Sequence, residues 1–490
     1  MKKKKHVSAV MAACLALGTW IGGASPVQAD GVPSDDGKTI YYTVHKETGE
    51  SDTVDSNTND MVAKADTIVM QPEKQKSVKI ATNETKHSDT AVPERKIKLL
   101  GQRNDTTISV SNVLPSQRIN IDNYQFGTVP VKVIKEEGTL LLSDSPEYVS
   151  SDGVLAAGTL QGKSRVYFYH VNEADQDKQV AIVLENNGNT DSRITVKRKL
   201  VTEPSDAYFK VGRELSFNEL VLWQASQEAD AERALAAADK KYKKKQLAEK
   251  LKAIDANMPP QLGKGLRIAK EENWLLPSHS RKLLFEDLSN IPVKKDQLIS
   301  GIVDFTSSEP IQAKVLMLNK GSGPLGYSYI APVQPMDDVE LRGTFHGVMR
   351  YMQSETPYNS SLGASAITIG NDREDAFIKG VDELTNNKAM TDKGNYGVSY
   401  DVTIPTAGDK RFAVYFNPLG GAYAGSVQIV SGTHNKIYQV PGAYDEYIGH
   451  GTIYDTMYLD TFTPGEPIVL RFIPAGASNL PVRFLFIPLD

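Results

Sequence analysis

Six tyrosines crowd a short span in the C-terminal part of the chain, and their side chains are well suited to hold a ligand. They are Tyr423, Tyr438, Tyr444, Tyr447, Tyr454 and Tyr458, with Asp445 among the carboxylates between them. A tyrosine ring joins an apolar face to a polar hydroxyl, so tyrosines beside carboxylates can stack on sugar rings and hydrogen-bond to them. The span predicts either a carbohydrate-binding face or, as we favour, rings that pack over the core at its loops, because tyrosine is commonly half-buried.

Histidines and clustered carboxylates offer weaker candidates for chemistry. His346, His434 and His450 have the ring type that binds transition metals, but nothing in their spacing requires a shared site. The acidic groups at 337–340 and 372–375 lie in polar loops, where they could bind calcium or form a glycosidase pair. Neither group has the spaced carboxylates of a calcium loop. We therefore predict no metal site and treat these carboxylates as solvated loop charge.

The sequence carries none of the motifs that mark common catalytic centres. It has no Gly-x-Ser-x-Gly elbow, no His-Glu-x-x-His helix and no complete phosphate loop. Its single cysteine, Cys14, lies in the apolar N-terminal segment. We predict a protein that is not an enzyme and that needs no cofactor. A hydrolase acting on wall polymer through Asp338 or Asp372 is the weaker alternative.

The first 29 residues have the form of an export signal. A lysine cluster at 2–5 precedes an apolar run at 7–21, and Val27-Gln28-Ala29 supplies the small-x-Ala end that a signal peptidase reads. The apolar run is too short to remain in a bilayer as a span. We predict cleavage after Ala29, which gives a secreted, cell-wall-associated protein without a transmembrane anchor. Lipidation of Cys14 is the alternative, disfavoured because apolar sequence continues past it.

The composition of the remaining chain limits its partners. Residues 30–94 are mostly polar and charged, so they bury too little apolar surface to fold, and we predict a disordered tether with a short extended piece at 39–44. The formal net charge of the whole chain is -5 and becomes more negative when the lysine cluster is removed. A nucleic-acid partner is therefore not expected. A cell-wall polymer or glycan is the predicted partner.

Short β-branched or aromatic runs bounded by turn residues predict strands on both sides of a helical segment. In residues 95–205 the runs are 131–134, 139–142, 165–171, 179–184 and 193–199, and in residues 261–490 the clearest are 298–305, 313–318, 398–404, 411–416, 426–430, 468–474 and 482–488. This spacing favours a mainly β chain with two antiparallel β-sandwich-like domains, the second larger than the first.

Two turn predictions accompany these strands. Residues 185–189 predict a hairpin-type turn between two strands of the first domain. Gly420, Gly421 and Gly425 predict a tight turn after the run at 411–416, with a ligand-cradling loop as the alternative.

Residues 206–260 predict a helical connector between the two domains. Ser216-Phe217-Asn218-Glu219 has the form of a capping box, which predicts a helix start at Ser216. An Ala/Glu/Lys-rich stretch follows, and Pro259-Pro260 ends it. Two helices or one long broken helix fit equally well. The lysine-rich run at 240–245 is either a solvated helical face, which we favour, or a contact for anionic wall polymer or lipid headgroups.

Several short motifs resemble those of a known family. They are Asp144-Ser145-Pro146-Glu147, Tyr169-His170-Val171-Asn172, Arg342-Gly343-Thr344-Phe345, Asn395-Tyr396-Gly397-Val398, Asn417-Pro418-Leu419-Gly420-Gly421 with Ala424-Gly425, and Pro474-Ala475-Gly476-Ala477-Ser478-Asn479-Leu480-Pro481. On these motifs, residues 143–490 resemble secreted bacterial proteins of the group that often carries a stalk domain labelled "copper amine oxidase N-terminal-like". The resemblance implies an exported, wall-associated, β-rich protein whose activity is not established.

The family label does not imply an oxidase. True copper amine oxidases carry a quinone-forming tyrosine in Asn-Tyr-Asp/Glu and two copper ligands in His-x-His, whereas here Asn395-Tyr396 is followed by Gly397 and no His-x-His occurs. The sequence therefore predicts an exported, non-catalytic cell-surface structural or interaction protein. A carbohydrate-binding module that uses the tyrosine span is the alternative.

Overall fold

The computed structural model describes residues 119–238, 242–442 and 446–489, together with the backbone of three short strands closer to the N-terminus. Strands dominate, and the predicted mainly β fold with a helical segment is confirmed. The strands are β1 (Ala29–Pro33), β2 (Ile40–Val44), β3 (Ser109–Val110), β4 (Gly127–Thr128), β5 (Val131–Ser143), β6 (Tyr148–Val149), β7 (Gly153–Asn172), β8 (Lys178–Asn186), β9 (Ser192–Val201), β10 (Leu266–Ile268), β11 (Glu272–Leu276), β12 (Ser280–Leu283), β13 (Leu298–Asn319), β14 (Arg342–Ser354), β15 (Tyr358–Asn359), β16 (Ser365–Ile369), β17 (Lys379–Asp382), β18 (Lys388–Thr391), β19 (Ser399–Ile404), β20 (Thr406–Ala407), β21 (Phe412–Asn417), β22 (Gly425–Ser431), β23 (His434–Val440), β24 (Met457–Phe462), β25 (Ile468–Phe472) and β26 (Val482–Pro488). The α-helices are α1 (Tyr208–Ala238), α2 (Lys244–Asn257) and α3 (Pro324–Tyr327), and short 3-10 helices lie at Ile121–Asn123, Glu286–Asn290 and Glu383–Thr385.

The N-terminal part of the chain is described only at a few strands. The predicted export signal, with Cys14, and most of the predicted tether lie outside the described residues and stay predictions. Strands β1 and β2 pair antiparallel in a unit of their own, and β2 overlaps the extended piece predicted at 39–44.

Two long strands form the centre of the main sheet. Strand β13 pairs antiparallel with β7 from Leu298 opposite Val171 to Met317 opposite Gly153. The sequence predicts two strands at 298–305 and 313–318, but the backbone continues through an irregularity between Ser307 and Ile311. Because β7 and β13 come from the two predicted β-domains, those domains share one sheet.

The predicted hairpin at 185–189 is wrong in its pairing. A turn does follow β8, but β8 and β9 do not pair with each other in the described chain. Both lie along the same edge of β13, with β9 beside its first half and β8 beside its second half. The turn therefore joins two successive segments of one edge, and each segment gains its hydrogen bonds from β13.

The main sheet extends from its long strands into the C-terminal part of the chain. Successive pairs are β7 with β5, β5 with β14, β14 with β19, β19 with β25, β25 with β22 and β22 with β23. A second sheet has the order β24-β21-β26-β16-β4. Aromatic side chains from both sheets share one core, for example Phe472 with Phe484 at 6.0 Å between ring centroids. The C-terminal part is therefore sandwich-like.

The glycine-rich turn after β21 connects different sheets. Leu419 and Gly420 both have positive φ, at 54° and 92°, so the chain does turn there. Strand β21 pairs with β24 and β26, whereas β22 pairs with β23 and β25. The predicted tight turn therefore belongs to a crossover between the two sheets.

The helical segment begins about two turns earlier than the capping box predicts. Helix α1 starts at Tyr208, and Ser205 Oγ accepts a hydrogen bond from the backbone N–H of Ala207 at 3.1 Å. Ser216 lies inside α1, where its hydroxyl donates to the Arg213 carbonyl, and Glu219 is fully buried. The capping-box prediction is wrong because the apolar face of the chain already begins at Tyr208.

Helix α2 follows α1 and ends before Pro259, as the prolines predict. Lys243, Lys244 and Lys245 are exposed, which agrees with a solvated face; Lys240 and Lys241 lie outside the described residues. No helix in the described part of the chain is long and apolar enough to cross a membrane.

A glycine in α1 allows the helix to approach the sheet. A Cβ built at Gly212 would overlap the carbonyl oxygen of Gly476. Alanine favours a helix over glycine by about 1 kcal/mol, yet we expect Gly212→Ala to lower the free energy of unfolding by about 1–3 kcal/mol, as overpacking does. Urea unfolding measures this change. Gly326→Ala in α3 is the control, because a Cβ there meets no atom within 4 Å; equal effects of the two variants would contradict the close approach.

Candidate functional site

A cleft of about 410 Å³ lies between the helical segment and the main sheet. Strands β5, β7, β9, β13 and β14 supply one wall, and helices α1 and α2 with the loop before β11 supply the other. Clefts of this size are typical of small-ligand sites, which combine an apolar wall with a few placed polar groups. The cleft is therefore our candidate functional site.

Four charged side chains, three of them buried and one partly buried, form a network that reaches the wall of the cleft and is called here the charge quartet. Its members are Arg165 on β7, Arg198 on β9, Glu219 on α1 and Asp304 on β13. Arg198 and Asp304 line the cleft itself. Two cations and two carboxylates balance, so the charge quartet is neutral as a whole.

Arg165 is the best-satisfied member of the charge quartet. It is fully buried, its Nε and Nη2 donate to the two oxygens of Asp304 at 2.7 and 2.9 Å, and Nη2 also donates to Glu219 Oε1 at 2.7 Å. Its Nη1 donates to the Gly397 carbonyl and to Ser399 Oγ, each at 2.9 Å. Burial raises the pKa of Asp304, but Arg165 and Arg198 outweigh it and lower that pKa to about 2. Asp304 is therefore held ionised.

Arg198 is less completely satisfied. Its Nε donates to Asp304 Oδ2 and its Nη2 lies 3.2 Å from Glu219 Oε1. Its Nη1 is buried and has no hydrogen-bond partner among the described residues. The side chain is only 8% exposed, so this donor has little access to bulk water. A buried donor without an acceptor costs about 1–3 kcal/mol, so Arg198 is the member of the charge quartet whose burial is least compensated.

Six of the other charged side chains of the cleft form three ion pairs. Lys163 Nζ lies 2.8 Å from Glu137, Lys197 Nζ lies 2.6 Å from Glu271, and Arg233 Nη1 lies 2.8 Å from Asp230. Lys270 and Asp255 complete the charged lining with one charge of each sign. The lining thus holds as many basic as acidic groups.

Small and apolar side chains form much of the rest of the wall. They are Trp223, Ala225 and Ala229 of α1, Leu251 of α2, Ala269 of the following loop, Phe305 of β13, and Val348 and Met349 of β14. Tyr351 of β14 also lines the cleft and is half-buried; burial raises its pKa. Trp223 is almost fully buried, and the Arg471 guanidinium lies over its ring at 5.4 Å. The wall therefore has a buried aromatic ring at Trp223 and smaller aliphatic side chains at the alanines.

Sequence reasoning did not find this cleft. Arg165 shares a strand face with Tyr167 and Tyr169, and a basic residue on such a face signals a buried ion pair, but its partners are remote in sequence. Glu219 was assigned to a capping box. The alanines of α1 gave no signal, because alanine is common in any helix.

Two of the predicted ligand-binding tyrosines are fully buried. The Tyr423 ring packs 4.6 Å from that of Phe416, and the Tyr438 hydroxyl donates to Asp460 Oδ2 at 2.6 Å. Burial and the Asp460 carboxylate raise the pKa of Tyr438. Neither ring offers a face to a sugar, so the role proposed for these two in a binding face is corrected to packing.

Tyr447 and Tyr458 are partly buried, and Tyr454 is exposed. Tyr447 stacks against Phe209 at 4.6 Å, and Tyr458 packs edge-on against Tyr415 at 5.6 Å. Tyr454 is 40% exposed and its hydroxyl donates to Asp122 at 2.8 Å. Tyr444 and Asp445 lie outside the described residues, so their predicted role stays a prediction.

The three candidate histidines, His346, His434 and His450, do not form a shared site in the described part of the chain. His434 Nε2 lies 3.0 Å from the Tyr438 hydroxyl, His346 is exposed on β14, and the His450 ring packs against Tyr447. No group of three or more His, Cys, Asp or Glu side chains in the described ranges is placed to hold a metal ion.

The loop carboxylates act mainly as hydrogen-bond acceptors for backbone and side chains. Asp337 accepts from Ser145 Oγ and from the Glu147 backbone N–H, and Asp372 accepts from the Phe377 backbone N–H at 2.9 Å. Asp375 is fully buried against Arg350 and the Tyr400 hydroxyl. These contacts hold loops in place.

A separate buried acidic pair lies near Asp337. Glu147 is 6% exposed, and burial together with the Asp337 carboxylate raises its pKa to about 8. Burial and the neighbouring Glu147 also raise the pKa of Asp144. Glu147 is therefore expected to carry a proton at neutral pH.

The motifs that carry the family resemblance anchor loops in the structure. Asn417 Nδ2 donates to the carbonyls of Ile453 and Asp455, and the Tyr396 hydroxyl donates to the Ser478 carbonyl at 2.6 Å. Asn479 Oδ1 accepts from a backbone N–H of the crossover loop. A structural role accounts for these motifs, and the family resemblance itself stays a prediction.

Comparisons with known proteins do not assign the chain. Scans of protein-family models and of curated proteins find no match. Among solved structures, PNGF-II is similar with 11% identity and a TM-score of 0.15, over 73% of this chain and 65% of PNGF-II. A Bacillus subtilis oxalate decarboxylase variant has 10% identity and a TM-score of 0.10, over 78% and 85% of the two chains. The chain thus spans less than two thirds of PNGF-II, and scores this low support no inference about fold or function.

Proposed function

We propose that the chain is an exported, non-catalytic cell-surface protein that binds cell-wall material through the cleft between α1, α2 and the main sheet. The observation that carries the proposal is the cleft of about 410 Å³, whose wall combines apolar side chains with polar side chains and charged pairs. Placed polar groups beside apolar side chains are typical of a small-ligand site.

Other features support export and a binding role. The N-terminal segment has the charge, apolar length and small-x-Ala end of an export signal. Charged side chains of the cleft bond to each other, as in Lys163 with Glu137 and Lys197 with Glu271. Groups fixed in this way shape a wall more readily than they transfer protons.

Filling the cleft tests the binding role. Ala229 lies on the cleft side of α1, and Ala229→Leu adds volume there without touching the charge quartet. We expect the full chain to sediment with purified bacterial cell walls and the variant to bind at least about tenfold more weakly, since a loss of 1.4 kcal/mol corresponds to tenfold.

The matched control is Ala234→Leu, because Ala234 is exposed on the same helix. Circular dichroism of both variants checks that the helix remains. Equal wall binding by Ala229→Leu and the unchanged chain would reject the cleft as the binding site.

Export is tested separately by sequencing the N-terminus of the chain secreted from a bacterial host, which we expect to begin at Asp30.

A further inference from the structure

One wall of the cleft is a helical hairpin, defined here as residues 226–238 of α1 together with residues 242–257, which include α2. The hairpin contributes Ala229, Arg233 and Leu251 to the lining of the cleft. The main sheet and the loop before β11 form the opposite wall. A movement of the hairpin relative to the sheet would therefore change the size of the cleft.

Burial changes partway along α1. The buried residues of this helix lie between its start and Ala225, and beyond that point only Glu232 is buried. Glu232 Oε2 accepts a hydrogen bond from the Tyr242 hydroxyl at 2.7 Å, so its partner lies within the hairpin. Helix α2 has no buried residue. The described residues of the hairpin thus include no buried apolar side chain, whereas the first half of α1 is packed into the core.

The polar bonds of the hairpin are internal to the helical segment. Arg233 Nη1 lies 2.8 Å from Asp230, and Lys245 Nζ lies 3.9 Å from Glu249. In the described part of the chain, no hydrogen bond or ion pair joins the hairpin to a residue outside 208–257. The closed position of the hairpin therefore depends on partly buried apolar contacts.

The chain is fixed on both sides of the hairpin. Before it, Gln224 Oε1 accepts hydrogen bonds from Asn435 Nδ2 at 3.0 Å and from Gln428 Nε2. After it, the Leu262 carbonyl accepts from Asn218 Nδ2 at 2.8 Å, and Asn218 belongs to the buried half of α1. The hairpin can therefore leave the sheet without releasing the chain on either side of it.

We propose that the helical hairpin is a lid on the cleft, which opens by local unfolding while the first half of α1 stays on the sheet. Segments with few buried apolar contacts open at a lower free energy than the rest of a fold. Isolated helices shorter than about 12–15 residues are only marginally stable in water. A ligand that contacts both walls binds the closed form and stabilises it. The inference rests on the proposed function, because it concerns entry to the same cleft.

Amide hydrogen exchange of the full chain, followed by mass spectrometry, tests the opening. We expect the protection factors in 228–238 and 246–257 to be at least about tenfold lower than those in 212–224, because the hairpin opens without the core. The two halves of α1 belong to one helix, so the comparison contains its own control. Protection factors that agree within about threefold along α1 would overturn the lid, since they correspond to nearly equal opening free energies.

Sonicated fragments of purified bacterial cell walls are the probe for closure. At a fragment concentration about ten times the dissociation constant, we expect protection of the hairpin to rise about tenfold while that of 212–224 is unchanged. Ala229→Leu fills the cleft and is expected to remove this rise, whereas Ala234→Leu on the exposed side of α1 retains it. An equal rise in both variants would show that the fragments act outside the cleft, and would overturn closure by a ligand.

The outcomes separate this inference from the proposed function. Wall binding in sedimentation that depends on Ala229, without a rise in protection of the hairpin, rejects the closing step and leaves the proposed function standing. Absence of wall binding rejects the proposed function and the closing step together, and the ratio of protection factors along α1 still decides whether the hairpin opens.

Discussion

Arg165→Met is expected to lower the free energy of unfolding by about 3–5 kcal/mol, as the loss of one partner from a buried ion pair does. The side chain is fully buried and donates to Asp304, Glu219, Ser399 and the Gly397 carbonyl. Methionine has similar length but no donor, so both carboxylates would depend on Arg198 alone. Urea unfolding followed by circular dichroism measures the change.

The matched control for this substitution is Arg193→Met. Arg193 is an exposed arginine in β9, the strand that also carries Arg198. Surface substitutions of this kind usually change stability by less than about 0.5 kcal/mol. A loss of under about 1 kcal/mol for Arg165→Met would show that the charge quartet contributes little to the fold.

Stability is expected to fall as the pH rises from 6.5 to 8, and Glu147 is expected to be a major cause. The pKa of folded Glu147 is raised to about 8 by burial and by Asp337, whereas an unfolded glutamate has a pKa of about 4.3. Folding therefore retains a proton that the unfolded chain has released. The contribution of Glu147 to stability is fully present below the pKa that it has in the unfolded chain. It is lost as the pH rises through the pKa that it has in the folded chain. The slope is about 1.4 kcal/mol per pH unit for one proton, or about 2 kcal/mol over this window.

Glu147→Gln isolates this contribution. We expect the free energy of unfolding of the variant to fall less steeply with pH, by about 1.4 kcal/mol per pH unit. Asp144 keeps a contribution of the same sign, because burial also raises its pKa. The window starts at pH 6.5 because burial lowers the pKa of His170 to about 4, and that group destabilises the fold only at lower pH.

Urea unfolding at several pH values gives the slope for each variant. Glu173→Gln is the control, since Glu173 is exposed near the same end of β7. An unchanged slope in Glu147→Gln would mean that this carboxyl is ionised in the folded chain.

Much of the fold class follows from local sequence pattern. Strand β21 at Phe412–Asn417 was predicted within one residue, and its burial on both faces agrees with its nearly continuous apolar run. The helical segment and its end before Pro259 were also predicted. Alternation, β-branching and proline act through neighbouring residues, so a single sequence contains them.

The pairing of strands was predicted less well, because it depends on residues that are far apart in the sequence. The sequence predicts the turn after β8. The two strands that this turn joins, β8 and β9, both pair with β13, which lies more than 100 residues further along the chain. Ser216 and Glu219 matched a capping box, yet the apolar face of α1 extended the helix past them and buried Glu219 against Arg165. Tertiary contacts thus overrode correct local signals.

The sequence by itself determined a mainly β chain with a helical segment, and predicted an export signal and a non-catalytic surface role. Only the tertiary structure decided where the cleft that we propose as a binding site lies. The cleft needs Arg198 from β9, Asp304 from β13 and Ala229 from α1 at one place. Periodicity specifies which side of an element is buried, but it does not specify which partner that side meets. Whether Arg198 Nη1 has a hydrogen-bond partner depends on how these elements pack, because a partner is defined by distance in space.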